Sequence, residues 1–141
     1  MDTNPKDNLK LDISCIENEP YCIGVLTQEV INLLGLNLTE KEIIIWKDRI
    51  KYIEKHKSDF TSEDDYRLHV ESMPEIISNP DYVGIHPKGD SIQYIKKINK
   101  IMLVGIRIKL RGKLVVRSCY PISQSKLDTY IQSGTLIEFS K

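Results

Sequence analysis

Hydrophobic and polar positions along this chain follow two periods, and the change from one to the other falls near residue 80. Before it the spacing is mostly helical. In TQEVINLLGLN, Thr27 can cap a helix, Val30, Leu33 and Leu34 form its apolar stripe, and Gly35 stops it. From Trp46 to Phe60, the residues Trp46, Ile50, Ile53, Lys57 and Phe60 form one stripe. At about 100° per residue, Arg49 and His56 fall within about 20° of each other at its border, with Tyr52 further round on the same side. Thr61 or Ser62 can cap a further helix, SEDDYRLHVESM, with acids in its first turn. MPEIISNPDY then reads as a short helical turn followed by a tight turn at Pro80. Two short apolar runs interrupt this half. YCIGVL suggests a strand, and EIIIW suits either a strand or the entry to the next helix.

After residue 80 the period is that of strands. YVGI, SIQYIKKI, IMLVGIRIKL and KLVVRSCYPI are rich in Ile, Val and Tyr and are separated by the turn-like HPKGD, NK and RG. Connections this short require antiparallel neighbours. QSKLDTYIQSG is a helix of about two turns ended by Gly134, and TLIEF closes as an edge strand. The fold class is α+β, with N-terminal helices packed on a twisted four-stranded antiparallel sheet and a short C-terminal helix. Residues 1–12 are polar and aperiodic and are expected to be a disordered tail, leaving one domain over 13–141.

Alternation divides the sheet into two faces. Met102, Val104, Ile106 and Ile108 share one, which should cover the helices; Ile101, Leu103, Gly105, Arg107 and Lys109 share the other. In the last long strand, Leu114, Val116, Ser118 and Tyr120 alternate with Lys113, Val115, Arg117 and Cys119. Arg117 and Ser118 therefore point to opposite faces unless a bulge intervenes. The second face is expected to be partly polar and strongly basic. Cations and tyrosines on a sheet suit single-stranded nucleic acid, although many solvated sheet faces also carry Lys and Arg.

Composition narrows the class. The 141 residues are 40% hydrophobic and 28% charged, ordinary for a soluble domain. No apolar run approaches the roughly 18 residues of a membrane span, and the start has no signal-peptide pattern, so a cytoplasmic protein without a membrane partner is expected. Cys15, Cys22 and Cys119 have no metal spacing; they read as free buried thiols, with a Cys119–histidine pair as the alternative. The net charge is zero but divided: 9 Lys and Arg against 17 Asp and Glu through residue 87, and 11 against 3 thereafter. Either the halves offset each other within one fold, or a basic face handles a polyanion and acidic surface orients it.

The order of motifs resembles a known family. DRIKYIEKH, MPEIISNPDYVGIHPKG, SIQYIKKI, LVGIRIK and LVVRSCYPISQSKLDTYIQSGTLIEF together look like the phage-associated barnase/EndoU/colicin/RelE-like (BECR-fold) nucleases, over about Tyr21 to Phe139. The most specific pieces are P-E-I-I-x-N-P-D-Y-x-G (Pro74 to Gly84) and Y-P-I-S-x-S-K-L (Tyr120 to Leu127). The resemblance implies a metal-independent, cofactor-free ribonuclease, often a toxin or conflict effector, with its active site on the sheet.

Such cleavage uses the 2′-OH as nucleophile and needs a base, an acid and donors for the phosphate, leaving a 2′,3′-cyclic phosphate. His56 matches the family's histidine at the end of the first long helix, and a border histidine bonded to a backbone carbonyl is the alternative. Arg117 suits a phosphate clamp, Ser118 a donor, and Tyr120 a stacking platform or acid, and these three join His56 as the expected catalytic set. Arg49, Tyr82, Ser123, Ser125 and Lys126 are expected to bind substrate. Ser123 equally suits the cap of the last helix. His69 and His86 compete for the acid role, but the family often carries Asp or Asn where His86 stands. A Tyr or Lys could serve if its pKa is drawn down.

The expected activity is cleavage of RNA, tRNA or another structured RNA, as a toxin or effector of a phage or mobile element. The neutral total charge suits a specific RNA fold or a protein partner, an inhibitor or a host protein; the sequence sets no oligomeric state. The competing reading is an inactive module of the same fold that binds nucleic acid or protein.

Overall fold

The computed structural model describes residues 11–14 and 19–139. Strand β1 (Tyr21–Leu26) leads through helix α1 (Gln28–Leu34) to strand β2 (Lys41–Ile45). Helix α2 (Lys47–Ile53), a 3-10 stretch (Glu54–Asp59), α3 (Glu63–Val70) and α4 (Met73–Ser78) follow. The meander is β3 (Tyr82–Ile85), β4 (Ser91–Lys97), β5 (Ile101–Arg107) and β6 (Leu114–Ile122), after which come α5 (Gln124–Gln132) and β7 (Leu136–Glu138). Local chemistry sets these boundaries. The hydroxyls of Thr27, Ser62 and Ser123 accept backbone N–H groups in the first turns of α1, α3 and α5. Gly35 ends α1 at φ 65°, where a side chain would be strained.

The expected four-stranded antiparallel sheet is overturned. One sheet of seven strands runs in the order β1-β2-β6-β5-β4-β3-β7, and it is mixed because β2 lies parallel to β6. The four-run meander is only its middle. EIIIW proves to be strand, with Ile43, Ile44 and Ile45 all buried. A segment apolar on both faces belongs inside a sheet, and β2 therefore sits between β1 and β6. TLIEF supplies the other extension, pairing with β3 at the edge.

Met102, Val104 and Ile106 join the main core with residues of α1 to α4, and Ile108 packs at its margin. Helix α1 buries Val30 and Ile31, with Leu34 against the core, whereas Leu33 is exposed. The second face is less polar than expected. Ile95, Leu103 and Ile122 form a smaller core there with Leu127 of α5 and Leu136 of β7. Helix α5 thus covers the centre of that face and leaves the end beyond it open.

Leu11 is buried in the main core and its N–H donates to the Glu71 carbonyl (2.9 Å), while Arg67 donates to Asp12 (3.1 Å). The rest of the expected tail, residues 1–10, lies outside the described residues. Of the cysteines expected to be buried, Cys119 is buried, Cys22 is exposed, and Cys15 lies outside the described residues. No helix among the described residues is long and apolar enough to cross a membrane.

Candidate active site

The site is built around an irregularity in β6. Gly105 faces Ser118 across the β5–β6 ladder, but the next residue of β5, Ile106, faces Val116. Arg117 is the extra residue of a bulge, which reverses the alternation of the strand. Leu114 and Val116 are buried before it and Cys119 after it, so Ser118 and Tyr120 fall on the open face together with the exposed Arg117. Gly105 makes room for this. A Cβ there would lie 2.6 Å from Ser118 Oγ, so the hydroxyl occupies the space that any other residue would fill.

Helix α2 supplies the opposite wall. β2 pairs with β6 only at Leu114 and Val115. Beyond that point α2 packs against β6, and Arg49 Nη1 donates to the Arg117 carbonyl (3.2 Å). The helix tightens into the 3-10 stretch after Ile53, which carries His56 to the ring of Tyr120. The two rings stack with centroids 5.3 Å apart and planes 28° from parallel. His56 Nδ1 lies 3.4 Å from Asp59 Oδ2, which leaves Nε2 as the nitrogen free of this carboxylate. The resulting recess of about 330 Å³ is lined by Arg49, Tyr52, Lys55 and His56 on one side and Arg117, Ser118 and Tyr120 on the other.

Its electrostatics are those of an anion site. Arg49, Lys55 and Arg117 all face it. Arg117 Nη1 is held by Asp90 Oδ2 at 2.9 Å, and this hydrogen bond keeps the Asp90 carboxyl below the usual carboxylate range. The Tyr120 phenol is pushed up by burial, against a smaller opposing pull from Lys126. Lys126 Nζ stands 5.9 Å from the Tyr120 ring, at the rim.

Tyr52 was seen in the sequence only as a neighbour of the Arg49–His56 face. Lys55 Nζ donates to its hydroxyl, and the Arg49 guanidinium lies 4.6 Å from its ring centroid. The hydrogen bond and charge of Lys55, helped by Arg49 and Arg117, draw this phenol below its ordinary value. The spacing of Arg49, Tyr52 and His56 is the signal that finds it, being one helix face read every three or four residues.

Other expected residues lie elsewhere. Tyr82 is on the same face as Tyr120 but three strands away, since Tyr82, Ile95, Leu103 and Tyr120 form one cross-strand row. It lines a separate recess of about 380 Å³. The Ser123 hydroxyl accepts the Lys126 N–H as the α5 cap, and Ser125 is exposed in the first turn of that helix. His69 is fully buried and structural. Its Nδ1 meets the Asp65 carbonyl (2.7 Å), and its Nε2 accepts the backbone N–H groups of Asn99 and Lys100 (3.3 and 2.9 Å). Burial pushes the Cys119 thiol up to about 12, which disfavours a thiolate nucleophile.

A family model described as phage-Barnase-EndoU-ColicinE5/D-RelE like nuclease 3 matches residues 22–129. No curated protein and no solved structure shows a significant match.

Proposed function

The chain belongs to the phage-Barnase-EndoU-ColicinE5/D-RelE like nuclease 3 family, and from that premise we propose that it is a metal-independent endoribonuclease whose reaction takes place in the recess between α2 and β6. The observation that carries this reading is the meeting there of His56, Tyr52 and three cationic side chains with Ser118 and Tyr120 of the bulged strand.

In this mechanism His56 Nε2 takes the proton of the 2′-OH, and Asp59 at Nδ1 orients the ring. The 2′-oxygen bonds to phosphorus as the bond to the 5′-oxygen breaks. Tyr52 gives its proton to the departing oxygen, and the cations around it hold the phenolate that remains. The products are a 2′,3′-cyclic phosphate and a 5′-OH. Arg49, Arg117 and the Ser118 hydroxyl meet the charge that develops on the phosphate oxygens. Tyr120 holds His56 by stacking and presents an aromatic surface to a base.

The target class is a structured RNA with an exposed loop, tRNA being one example, because in-line attack needs a flexible nucleotide. Activity as a phage or mobile-element toxin accords with the family and would call for an inhibitor in the producing cell.

The test is incubation of the protein with total bacterial RNA in EDTA, beside His56→Ala, with the ends of the products mapped. Discrete fragments with cyclic-phosphate ends that vanish in the variant are expected. Equal cleavage by both proteins would remove His56 from the mechanism. Intact RNA that is nevertheless bound would favour an inactive binding module.

A further inference from the structure

A second recess, of about 170 Å³, adjoins the first on the sheet, and Arg117, Ser118 and Tyr120 line both. Its floor follows from the register of four neighbouring strands. Gly84, Gln93, Gly105 and Ser118 stand in one cross-strand row. Neither glycine has a side chain to cover the amide of Gln93 between them. Gln93 is 4% exposed, and its Oε1 lies below the surface. The accessible end of the amide is therefore its nitrogen, a hydrogen-bond donor. The β3–β4 connection, residues 86–90, forms the opposite rim with His86, Lys88 and Asp90.

The side-chain acceptors of this recess are engaged or covered. Asp90 Oδ2 accepts from Arg117 Nη1 (2.9 Å), and its Oδ1 accepts from the Ser91 hydroxyl (3.3 Å). His86 Nδ1 accepts the Lys88 N–H (3.1 Å), so the neutral imidazole carries its proton on Nε2. What the recess still offers is donors: the Gln93 nitrogen, His86 Nε2, the Lys88 ammonium, the rest of the Arg117 guanidinium and the Ser118 hydroxyl. Lys88 makes no ion pair among the described residues, and the charge of Asp90 is met by Arg117, so the balance is positive. Arg107, exposed two residues along β5 from Gly105, adds a cation on the same face. A base edge that pairs an N–H with an acceptor would leave its N–H unmet here. A phosphodiester brings acceptors and negative charge only, the complement of this set.

We propose that this recess is a second phosphate subsite, which holds the phosphate next to the cleaved one through Lys88, the Gln93 amide nitrogen and His86. Arg117 and Ser118 line both recesses and so stand between two neighbouring phosphates of one strand. That the other phosphate is the one cleaved rests on the ribonuclease reading above. The subsite itself rests only on the donors of the second recess.

Two measurements test it on the wild type, Lys88→Met and Gln93→Leu. Lys88 is exposed, so its variant keeps the test open if the buried leucine does not fold. In the first, an RNA with one mapped cut is made with an uncharged methylphosphonate at either neighbouring linkage. At one of the two positions the wild type should lose about tenfold in kcat/KM, the scale of one charge-assisted hydrogen bond. Each variant should cut the unmodified RNA about tenfold more slowly and lose little more on that replacement, because the contact is already gone. In the second, nucleoside 3′,5′-bisphosphates and the corresponding 3′- and 5′-monophosphates are titrated by calorimetry. The wild type should bind the bisphosphate about tenfold more tightly than either monophosphate, whichever base it carries, and the variants should lose that advantage. If no RNA is cut yet the advantage exists and depends on Lys88 and Gln93, the subsite stands and the ribonuclease reading falls. If RNA is cut but the methylphosphonate losses are absent, or are the same in wild type and variants, the ribonuclease reading stands and the subsite is overturned. If no RNA is cut and the bisphosphate has no such advantage, the subsite is overturned as well. A base preference that Gln93→Leu abolishes, without dependence on the second phosphate, would give the recess to a base and likewise overturn the proposal.

Discussion

Gly105→Ala tests whether the bulge and the glycine opposite it exist to present Ser118. The new Cβ would lie 2.6 Å from Ser118 Oγ, far inside the 3.4 Å at which ordinary contact begins, and its next neighbours, Ser118 Cβ and Leu103 Cδ2, are 3.9 and 4.0 Å away. The hydroxyl is therefore the one group that must yield, and it can do so by rotating about χ1. That rotation costs roughly 0.5–1.5 kcal/mol if the new position is off-rotamer. Alanine regains about 0.5–1 kcal/mol over glycine within a strand. Stability should change by less than about 1 kcal/mol, read by urea or thermal unfolding. Activity should change much more. Losing one donor to the developing phosphate charge costs about 10²–10³-fold in turnover. The double variant Gly105→Ala/Ser118→Ala should cleave as slowly as Ser118→Ala alone, because both changes remove the same interaction, and it should be more stable than Gly105→Ala. Full activity in Gly105→Ala, or losses that multiply in the double variant, would refute this reasoning.

Three further outcomes follow from the same geometry. His69→Ala should lose about 3–5 kcal/mol in urea unfolding, because the Asn99 and Lys100 N–H groups and the Asp65 carbonyl lose their buried partner; a loss under about 1 kcal/mol would contradict the structural role. Tyr94→Phe removes a buried hydroxyl that has no partner among the described residues, and burial already pushes this phenol far up, so the variant should be as stable as the wild type or about 1 kcal/mol more so. Lys55→Met should raise the pKa of Tyr52, whose phenol that lysine draws down. Tyrosinate absorbance would then appear at higher pH. If Tyr52 is the acid, activity falls as pH rises through its pKa, so the falling limb of the pH–activity profile should move upward as well; an unmoved limb would exclude Tyr52 as the acid.

Much of the fold was legible because its signals are local. Cap hydroxyls at Thr27, Ser62 and Ser123, the stop at Gly35 and the alternation of IMLVGIR act within a few residues, and the elements they predict are present. The order of motifs likewise carried the family. The extent of the sheet was not legible. The triplet Ile43–Ile45 is compatible with a buried strand or a buried helix entry, and no turn connects β2 to β6, so their parallel pairing has no local signature.

The site divides in the same way. The sequence by itself placed Arg49 and His56 on one side of a helical stretch, and both line one recess although the helix tightens into 3-10 turns after Ile53. It also determined the condition under which Arg117 and Ser118 could act together. Only the tertiary structure decided that the condition is met, because a bulge is set by the register between two strands and not by either strand alone. It likewise decided that Tyr120 stacks on His56 and that Tyr82 is three strands removed. Each of these depends on which segments lie side by side across the sheet, a property of long-range packing that one-dimensional spacing does not contain.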